Sequence, residues 1–337
     1  MSGDASHPVS EPSLRLRRLE KYFGPRRALA GVDLALSGAQ IVGIVGPDGA
    51  GKTTLLRTIA GLLEFSAEEA CVLGVDLAGD VQPLKARLGY VPQSFSLHRD
   101  LSVIENLRFT ARLHRLPAAE LARRSTELLE RTGLAPFADR PAGALSGGMK
   151  QKLAIVNALL PDPALLILDE PTAGVDVVAR AEIWSMLQAR RADMLILLST
   201  SYLDETAGCD RLVYLDDGRV VASGTPAELR AAAALELYRA WGDDPRAIAR
   251  AARALPYVAT AHATGQYARV EVPLARTPGA PHVLGDLAAL TSVRLVEHMP
   301  VDTESMLLAL ARRSTTVTTV PRERERPSKT QHPCKSV

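Results

Sequence analysis

The stretch Gly46-Pro47-Asp48-Gly49-Ala50-Gly51-Lys52-Thr53 decides the fold of this 337-residue chain. It matches G-x-x-x-x-G-K-[ST], the pattern of a loop that wraps nucleotide phosphates. The apolar run Ile41–Val45 precedes it and the helix-like segment Thr54–Leu63 follows it. In this context the glycines let backbone N–H groups face the phosphates, and the helix N-terminus adds partial positive charge. The stretch predicts a phosphate site in which Lys52 reaches the outer phosphates and Thr53 ligates Mg2+.

The composition fits one large domain and a smaller one, with 47% hydrophobic residues and a net charge of +2. A net charge this small does not indicate a basic surface that binds nucleic acid. The three cysteines are far apart and match no zinc or redox spacing. The polar start resembles no signal peptide, and no apolar run approaches the length of a membrane span. We therefore expect a protein that reaches a membrane only as a peripheral subunit.

Short apolar runs alternate with amphipathic segments from Ser13 onward, which is typical of an α/β fold. Met149, Leu153, Val156 and Leu160 share one face of a predicted helix over Gly148–Leu160. The charge-rich segment Arg108–Gly133 has apolar residues at helical spacing, so it predicts a helical insertion. The predicted buried strands are Ile41–Val45, Leu88–Val91, Leu165–Leu168, Leu195–Leu198 and Leu212–Leu215.

A domain boundary is predicted near Gly224-Thr225-Pro226. We expect a main domain over residues 13–225, with a helical part over about 94–160, and a small α+β appendage over 226–313. A C-terminal extension without its own core is the alternative reading of the appendage. Its predicted elements are a helix over Ala227–Trp241, strands at Tyr267–Pro273 and Val293–His298, and helices at Pro281–Leu290 and Thr303–Arg312. Residues 1–12 and 314–337 are predicted to be disordered.

Two acids follow the apolar run Leu165-Leu166-Ile167-Leu168. In a phosphate-loop fold this strand lies beside the first one, so Asp169 at its tip would hold Mg2+ directly or through water. Glu170 points elsewhere, because alternate strand residues face opposite sides. That position suits a general base that polarises an attacking water.

A second anion site is predicted at Ser146-Gly147-Gly148, where a polar cap and two glycines open the Gly148–Leu160 helix. This segment lies about twenty residues before the acids, and a second helix start suggests that a γ-phosphate is gripped from two sides. By itself the triplet could be a simple helix cap.

Together these segments resemble the ATP-binding-cassette (ABC) ATPases over about residues 13–225, roughly two thirds of the chain. Gly46–Thr53 is similar to the Walker A loop, Leu165–Glu170 to Walker B and Leu145–Gln151 to the signature segment. The resemblance implies an α/β fold with a P-loop NTPase core and a helical insertion. It also implies ATP and Mg2+ as ligands, with Thr54 completing the ATP-binding loop.

The resemblance assigns further site residues. Gln93 is similar to the Q-loop glutamine, which ligates Mg2+, and Asp176 to the D-loop aspartate at a dimer interface. Phe23 is similar to the aromatic residue that stacks on adenine, with Tyr22 as the competing candidate. The signature residues Ser146, Gly147 and Gly148 would then contact ATP bound to a second cassette.

Two positions depart from the family pattern. Met149 stands where the family commonly has a glutamine. This difference does not weaken the resemblance, because the position caps a helix and need not touch phosphate. Ser201 stands where the family usually has a histidine that contacts the γ-phosphate and holds the catalytic water. Serine is shorter and carries no positive charge. We therefore expect slower or altered turnover, although Glu170 is retained.

The resemblance implies a second cassette, either another copy of this chain or a non-identical partner. Within this family, the sequence most resembles cassettes of ABC-2 type exporters, especially the N-terminal half of tandem-cassette multidrug-exporter ATPases. This implies separate ABC-2 permease subunits, a membrane-fusion protein reached through the permease, and a place on the cytoplasmic face of the inner membrane. The expected cargo is drugs or other amphipathic compounds.

A ribosome- or DNA-directed ABC ATPase would carry two cassettes with a basic linker, or long coiled coils, and this chain has neither. A phosphate-loop kinase would not explain Leu145–Gln151. An importer cassette stays open, and a neighbouring gene for a periplasmic binding protein would favour it.

Overall fold

The computed structural model describes residues 13–317. The predicted disordered segment 1–12, and residues 318–337 of the one predicted over 314–337, lie outside this range. Among the described residues the chain divides into two compact units, the first ending at Ser223 and the second beginning at Gly224. The helices within residues 13–317 are all too short or too polar to cross a lipid bilayer.

Within residues 13–223 the first unit combines two sheets with six α-helices. Its strands are β1 Leu14–Phe23, β2 Arg26–Leu36, β3 Gln40–Val45, β4 Glu69–Val72, β5 Val75–Asp76, β6 Leu88–Val91, β7 Leu165–Asp169, β8 Leu195–Ser199, β9 Arg211–Asp216 and β10 Arg219–Gly224. Its helices are α1 Lys52–Ile59, α2 Gln82–Lys85, α3 Val103–Leu113, α4 Ala118–Arg131, α5 Gly147–Leu159 and α6 Val177–Ala189.

The central sheet has the strand order β10-β9-β3-β8-β7-β6, with parallel pairing from β9 through β6. The five apolar runs predicted as strands all form part of it, which confirms those predictions. Every residue of β7 and β8 is buried, as expected for parallel strands covered on both faces. The carboxyl ends of β3, β7 and β8 meet at one edge, and Asp169 is in register with Ser199 there.

The smaller sheet has the order β2-β1-β4-β5 and is antiparallel. It shares one apolar core with α1 and the central sheet, to which Leu16, Leu55 and Ile167 belong. Phe23 and Arg26 are register partners where β1 turns into β2. This sheet therefore holds that turn beside the start of α1.

The predicted helical insertion is present, but Arg108–Gly133 is not one helix. The chain leaves α3 after Leu113 and enters α4 at Ala118. A capping box fixes the start of α3: Ser102 accepts from the Glu105 backbone, and Glu105 accepts from the Ser102 N–H. Leu107, Leu129 and Leu153 place α3, α4 and α5 around one separate apolar cluster.

The second unit is an antiparallel sheet with helices. Its strands are β11 Leu235–Gly242, β12 Thr260–Thr264, β13 Tyr267–Pro273 and β14 Val293–Met299, in the order β12-β13-β11-β14. Its helices are α7 Pro226–Ala233, α8 Pro245–Ala252, α9 Ala280–Ala288 and α10 Thr303–Val317. Buried residues that include Tyr238, Val270, Ile248 and Leu287 form its own core.

The predicted helix over Ala227–Trp241 is wrong in its second half. The helix ends at Ala233, Ala234 has a left-handed backbone, and the chain continues as the inner strand β11. Pairing of β11 with both β13 and β14 outweighs the helical preference of the alanine-rich sequence. A second difference is at the C-terminus: α10 includes residues 314–317, which we expected to begin the disordered tail.

Candidate functional site

The phosphate loop connects β3 to α1 and needs glycine at two positions. A Cβ atom on Gly46 would lie 2.0 Å from the Leu215 carbonyl oxygen. Gly51 has a φ of +104°, and a Cβ there would lie 2.7 Å from the Ala28 oxygen. Ala50 is buried, whereas Pro47, Asp48 and Gly49 are exposed. The sequence pattern therefore reflects both the left-handed backbone and the close approach of neighbouring chain.

Lys52 points into the loop that precedes it. Its side chain is buried, and Nζ donates to the Gly46 oxygen at 2.8 Å and to the Pro47 oxygen at 3.1 Å. The Asp48 carboxylate is 3.9 Å away. These loop carbonyls are weak partners for a buried ammonium group, and phosphate oxygens would be stronger ones.

Thr53 and Asp169 lie together, although β8 separates β7 from β3, so the expectation that these two strands are neighbours is wrong. The Thr53 hydroxyl donates to Oδ1 of Asp169 at 3.0 Å. Oδ2 of Asp169 is buried and has no hydrogen-bond partner among the described residues. A buried carboxylate oxygen without a donor is costly unless a cation or water meets it. The hydroxyl and carboxylate oxygens are the donor types that Mg2+ prefers.

A metal bound here would depend on few protein carboxylates. Within residues 13–317, no group of three or more His, Cys, Asp or Glu side chains is arranged to hold a metal ion. Mg2+ commonly uses one or two carboxylates together with substrate phosphates and water. The donor set around Asp169 fits that kind of site.

Glu170 lies one residue beyond the end of β7, and its φ is +51°. Its direction is therefore set by a left-handed backbone and not, as we expected, by strand alternation. Gln93 Nε2 donates to Oε2 of Glu170 at 2.9 Å, and Ser201 Oγ donates to Oε1 at 3.2 Å. The structure thus brings together three residues that the sequence analysis predicted to act at one site: Glu170 as the general base, Gln93 as the Q-loop glutamine and Ser201 in place of a histidine. Gln93 contacts Glu170 here and not Asp169.

Ser199 is a site residue that sequence reasoning missed. Its Oγ donates to Oδ1 of Asp169 at 2.8 Å and accepts from the Glu170 N–H at 2.9 Å. One hydroxyl therefore holds the carboxylate of Asp169 and the backbone of Glu170. The available signal was a serine at the end of an apolar strand, two residues before Ser201.

Tyr90 on β6 lies near the same acids and stays neutral. Burial raises the pKa of Tyr90 above its ordinary value of 10.0, Arg57 opposes this rise, and the negative charge of Asp169 adds to it. The negative charge at the end of β7 is therefore not increased by this phenol at neutral pH.

The phosphate loop opens on a cavity of about 440 Å3. Phe23 lines it, whereas the competing Tyr22 is not among the lining residues. The Tyr22 hydroxyl instead donates to Glu20 at 3.4 Å. Lys21 Nζ lies 5.0 Å from the centre of the Phe23 ring. The lining residues are Phe23, Arg26, Ala28, Asp48, Gly49, Gly51, Lys52, Thr53, Thr54, Gln93 and Glu170.

Ser146, Gly147 and Gly148, which the sequence predicted as the signature residues, do not line this cavity. Ser146 caps α5 by accepting from the Met149 N–H at 3.3 Å. Gly147 is exposed with open space around its Cα, whereas a Cβ on Gly148 would lie 2.6 Å from the Ala179 Cβ. Asp176 caps α6 by accepting from the Ala179 N–H at 3.0 Å. The Oδ2 atom of Asp176 is 3.5 Å from the position that a Cβ on Gly148 would occupy. The start of α5 and the start of α6 thus form one exposed surface.

Comparison with known proteins agrees with this geometry. Residues 29–173 match the ABC transporter family. The probable multidrug ABC transporter ATP-binding protein YbhF of Escherichia coli is 42% identical over 224 residues, which cover 66% of this chain and 39% of that protein. The Nod factor export ATP-binding protein I of Ralstonia nicotianae is 35% identical over 313 residues, covering 90% of this chain and 95% of that protein. The chain therefore spans 39% of the E. coli relative's length.

Solved structures show the same fold. The ATP-binding subunit of an ABC transporter has a TM-score of 0.61 and 32% identity, covering 65% of this chain and 92% of its own. The dimeric ATP-binding cassette MJ0796, bound to ADP and Pi, has a TM-score of 0.58 and 25% identity, covering 63% of this chain and 98% of its own. The predicted P-loop NTPase core of the ABC type is confirmed.

Proposed function

The chain belongs to the family of ABC transporter ATP-binding proteins, and we propose that it hydrolyses ATP to drive export through separate membrane-spanning subunits. One observation carries this proposal: the phosphate loop shares a single cavity with Phe23, Gln93 and Glu170. An aromatic ring, a phosphate cradle and a carboxylate then face one bound molecule. This arrangement fits a nucleoside triphosphate with its terminal phosphate toward Glu170.

In the proposed reaction the phosphate loop first binds the phosphates of ATP, and Glu170 then activates the attacking water. Lys52 exchanges the Gly46 and Pro47 carbonyls for phosphate oxygens, and the loop N–H groups hold the phosphate chain. Glu170 orients the attacking water and accepts its proton as the water oxygen bonds to the γ-phosphorus. The bond from that phosphorus to the β-phosphate oxygen breaks, and ADP leaves. The hydrogen bonds from Gln93 and Ser201 hold the carboxylate for this step.

Three residues would hold Mg2+ beside the phosphates. They are Thr53 through its hydroxyl, Asp169 through its carboxylate and Gln93 through its amide oxygen. The buried, partnerless Oδ2 of Asp169 supports this proposal. When bound, the ion neutralises negative charge on the phosphate oxygens.

A second cassette would complete the site. Ser146 and Gly147 are exposed at the start of α5 and do not face the cavity of their own chain. We propose that they, with Gly148, contact the γ-phosphate held by a partner cassette, with Asp176 at the same interface. The similar cassette MJ0796 is dimeric in its solved structure bound to ADP and Pi. Ser201 stands where the family usually has a histidine, and this favours a non-identical partner. That partner would supply a nucleotide site with the usual histidine.

The export assignment is supported by the relatives' names, which include multidrug, Nod factor export and daunorubicin resistance proteins. We propose ABC-2 type permeases as the membrane subunits and drugs or other amphipathic compounds as cargo. The chain would then act on the cytoplasmic face of the membrane. The permease would carry the contacts with cargo and with a membrane-fusion protein.

The test is to purify the chain with the membrane subunits encoded beside it, in lipid vesicles, and to compare it with Glu170→Gln. We expect ATP hydrolysis that candidate drugs stimulate, and in the variant retained ATP binding with turnover lower by about 10² or more. Equal turnover in the variant would contradict the role of Glu170. Hydrolysis without co-purifying membrane subunits or drug transport would favour a non-transport ATPase.

A further inference from the structure

Arg26 lies on the wall of the nucleotide cavity and belongs to none of the sequence motifs of the site. It is the first residue of β2 and the register partner of Phe23. One of its guanidinium nitrogens, Nη2, lies 3.8 Å from the position of a Cβ on Gly49 in the phosphate loop. The guanidinium group therefore stands beside the segment that wraps the phosphates.

The guanidinium group of Arg26 has no carboxylate partner within residues 13–317. Arg26 is also exposed. Its donors are therefore available to a ligand that enters the cavity.

Arg26 balances the net charge of the residues that line the cavity. Two positive residues, Arg26 and Lys52, face two negative ones, Asp48 and Glu170. Without Arg26 the wall would carry net negative charge, which opposes a polyphosphate. The planar donors of a guanidinium group match phosphate oxygens well.

We propose that Arg26 is a nucleotide-binding residue that contacts the phosphates beyond the first one in nucleoside di- and triphosphates. The position of Arg26 beside Gly49 supports this choice, because Gly49 belongs to the loop whose Lys52 reaches the outer phosphates. The inference rests on the proposed nucleotide site and adds a ligand contact to it from the turn between β1 and β2.

The test compares Arg26→Ala and Arg26→Lys with a matched control, Arg27→Ala. Arg27 is the adjacent exposed residue on β2, and it does not line the cavity. Each substitution is made in the full chain carrying Glu170→Gln, and calorimetry measures the affinity for ATP, ADP and AMP with Mg2+. We expect Arg26→Ala to weaken ATP and ADP binding about tenfold, given a partly exposed charge-assisted contact. AMP binding should change less than twofold, Arg26→Lys should be intermediate, and Arg27→Ala should match the parent.

Several results would overturn the proposal. Unchanged ADP affinity in Arg26→Ala excludes a phosphate contact, and equal losses for ATP, ADP and AMP assign Arg26 to the base or ribose. If the loss disappears in an Asp48→Asn background, Arg26 only neutralises Asp48. Thermal unfolding of each variant checks that the fold is intact. A parent chain that binds neither ATP nor ADP would instead refute the nucleotide site itself, and this inference with it.

Discussion

Ser199 donates a hydrogen bond of 2.8 Å to Oδ1 of Asp169 from the end of the neighbouring parallel strand. Both residues are fully buried. The same Ser199 oxygen accepts from the Glu170 N–H, so it also fixes the backbone of the proposed base. Oδ2 of Asp169 has no hydrogen-bond partner among the described residues, so it is the oxygen that we propose for the metal ion.

Ser199→Ala should lower ATP turnover about tenfold and raise the Mg2+ concentration needed for half-maximal rate, because Asp169 loses its orientation. The lost buried hydrogen bond should also reduce the free energy of unfolding by about 1 kcal/mol. Thr58→Val is the matched control, since it removes a buried hydroxyl that donates to the Thr54 oxygen at 2.8 Å. The control should lose similar stability and keep its Mg2+ dependence. An unchanged Mg2+ dependence in Ser199→Ala would contradict the positioning role.

The sequence predicted the parts of this site that lie within single segments. The phosphate loop and the Asp169-Glu170 pair each follow an apolar run, so their place at strand ends could be inferred from local pattern. The role of Ser199 depends on the register between β7 and β8, which are about thirty residues apart, and no local pattern encodes that register. The direction of Glu170 depends on a left-handed backbone that strand alternation does not predict.

The same distinction explains the error in the second unit. Alanine-rich sequence after Pro226 favours a helix locally, and the first eight residues do form one. From Leu235 the chain pairs with strands that lie 25 or more residues further on. Such pairing depends on distant sequence, so the propensity of the segment alone does not reveal it.

Ser201→His should raise ATP turnover about tenfold while changing the KM for ATP little. Ser201 donates to Glu170 at 3.2 Å, but its short side chain supplies no positive charge near the γ-phosphate. Steady-state hydrolysis by the assembled complex measures the effect. Ser201→Ala, which only removes the donor, should be slower than the parent. If Ser201→His hydrolyses ATP at the parental rate, serine does not limit turnover.

Gly147 and Gly148 should respond differently to alanine. Gly148→Ala should reduce the free energy of unfolding by about 1–3 kcal/mol, because its Cβ would lie 2.6 Å from the Ala179 Cβ. Adding Ala179→Gly should recover much of that loss. Gly147→Ala meets nothing within 4 Å, so stability should hold while turnover falls, since the new methyl group faces the proposed partner nucleotide. Urea unfolding and ATP hydrolysis together make the comparison, and full activity in Gly147→Ala would contradict the trans contact.

Glu271 should make the stability of the second unit depend on pH. Its carboxylate is buried and accepts from Ser305, Arg312 and Thr260 at 2.6, 2.9 and 2.9 Å. Burial alone would raise the pKa of Glu271, but these hydrogen bonds outweigh it and hold the pKa below the ordinary value of 4.5. Because the folded pKa is depressed, the stabilisation is present above pH 4.5 and is lost as the pH falls through the folded pKa.

The two tryptophans allow this to be measured in the full chain. Trp184 is in the first unit, so Trp184→Phe leaves Trp241 on β11 to report the second unit by fluorescence during urea unfolding. We expect Glu271→Gln to lower the free energy of unfolding at pH 7 by about 2 kcal/mol. The variant should also lose less of this free energy than the parent when the pH is lowered. Glu304→Gln is the control, because Glu304 is 59% exposed and its ion pair with Arg269 spans 3.6 Å. The same acid dependence in Glu271→Gln and the parent would show that other carboxylates govern it.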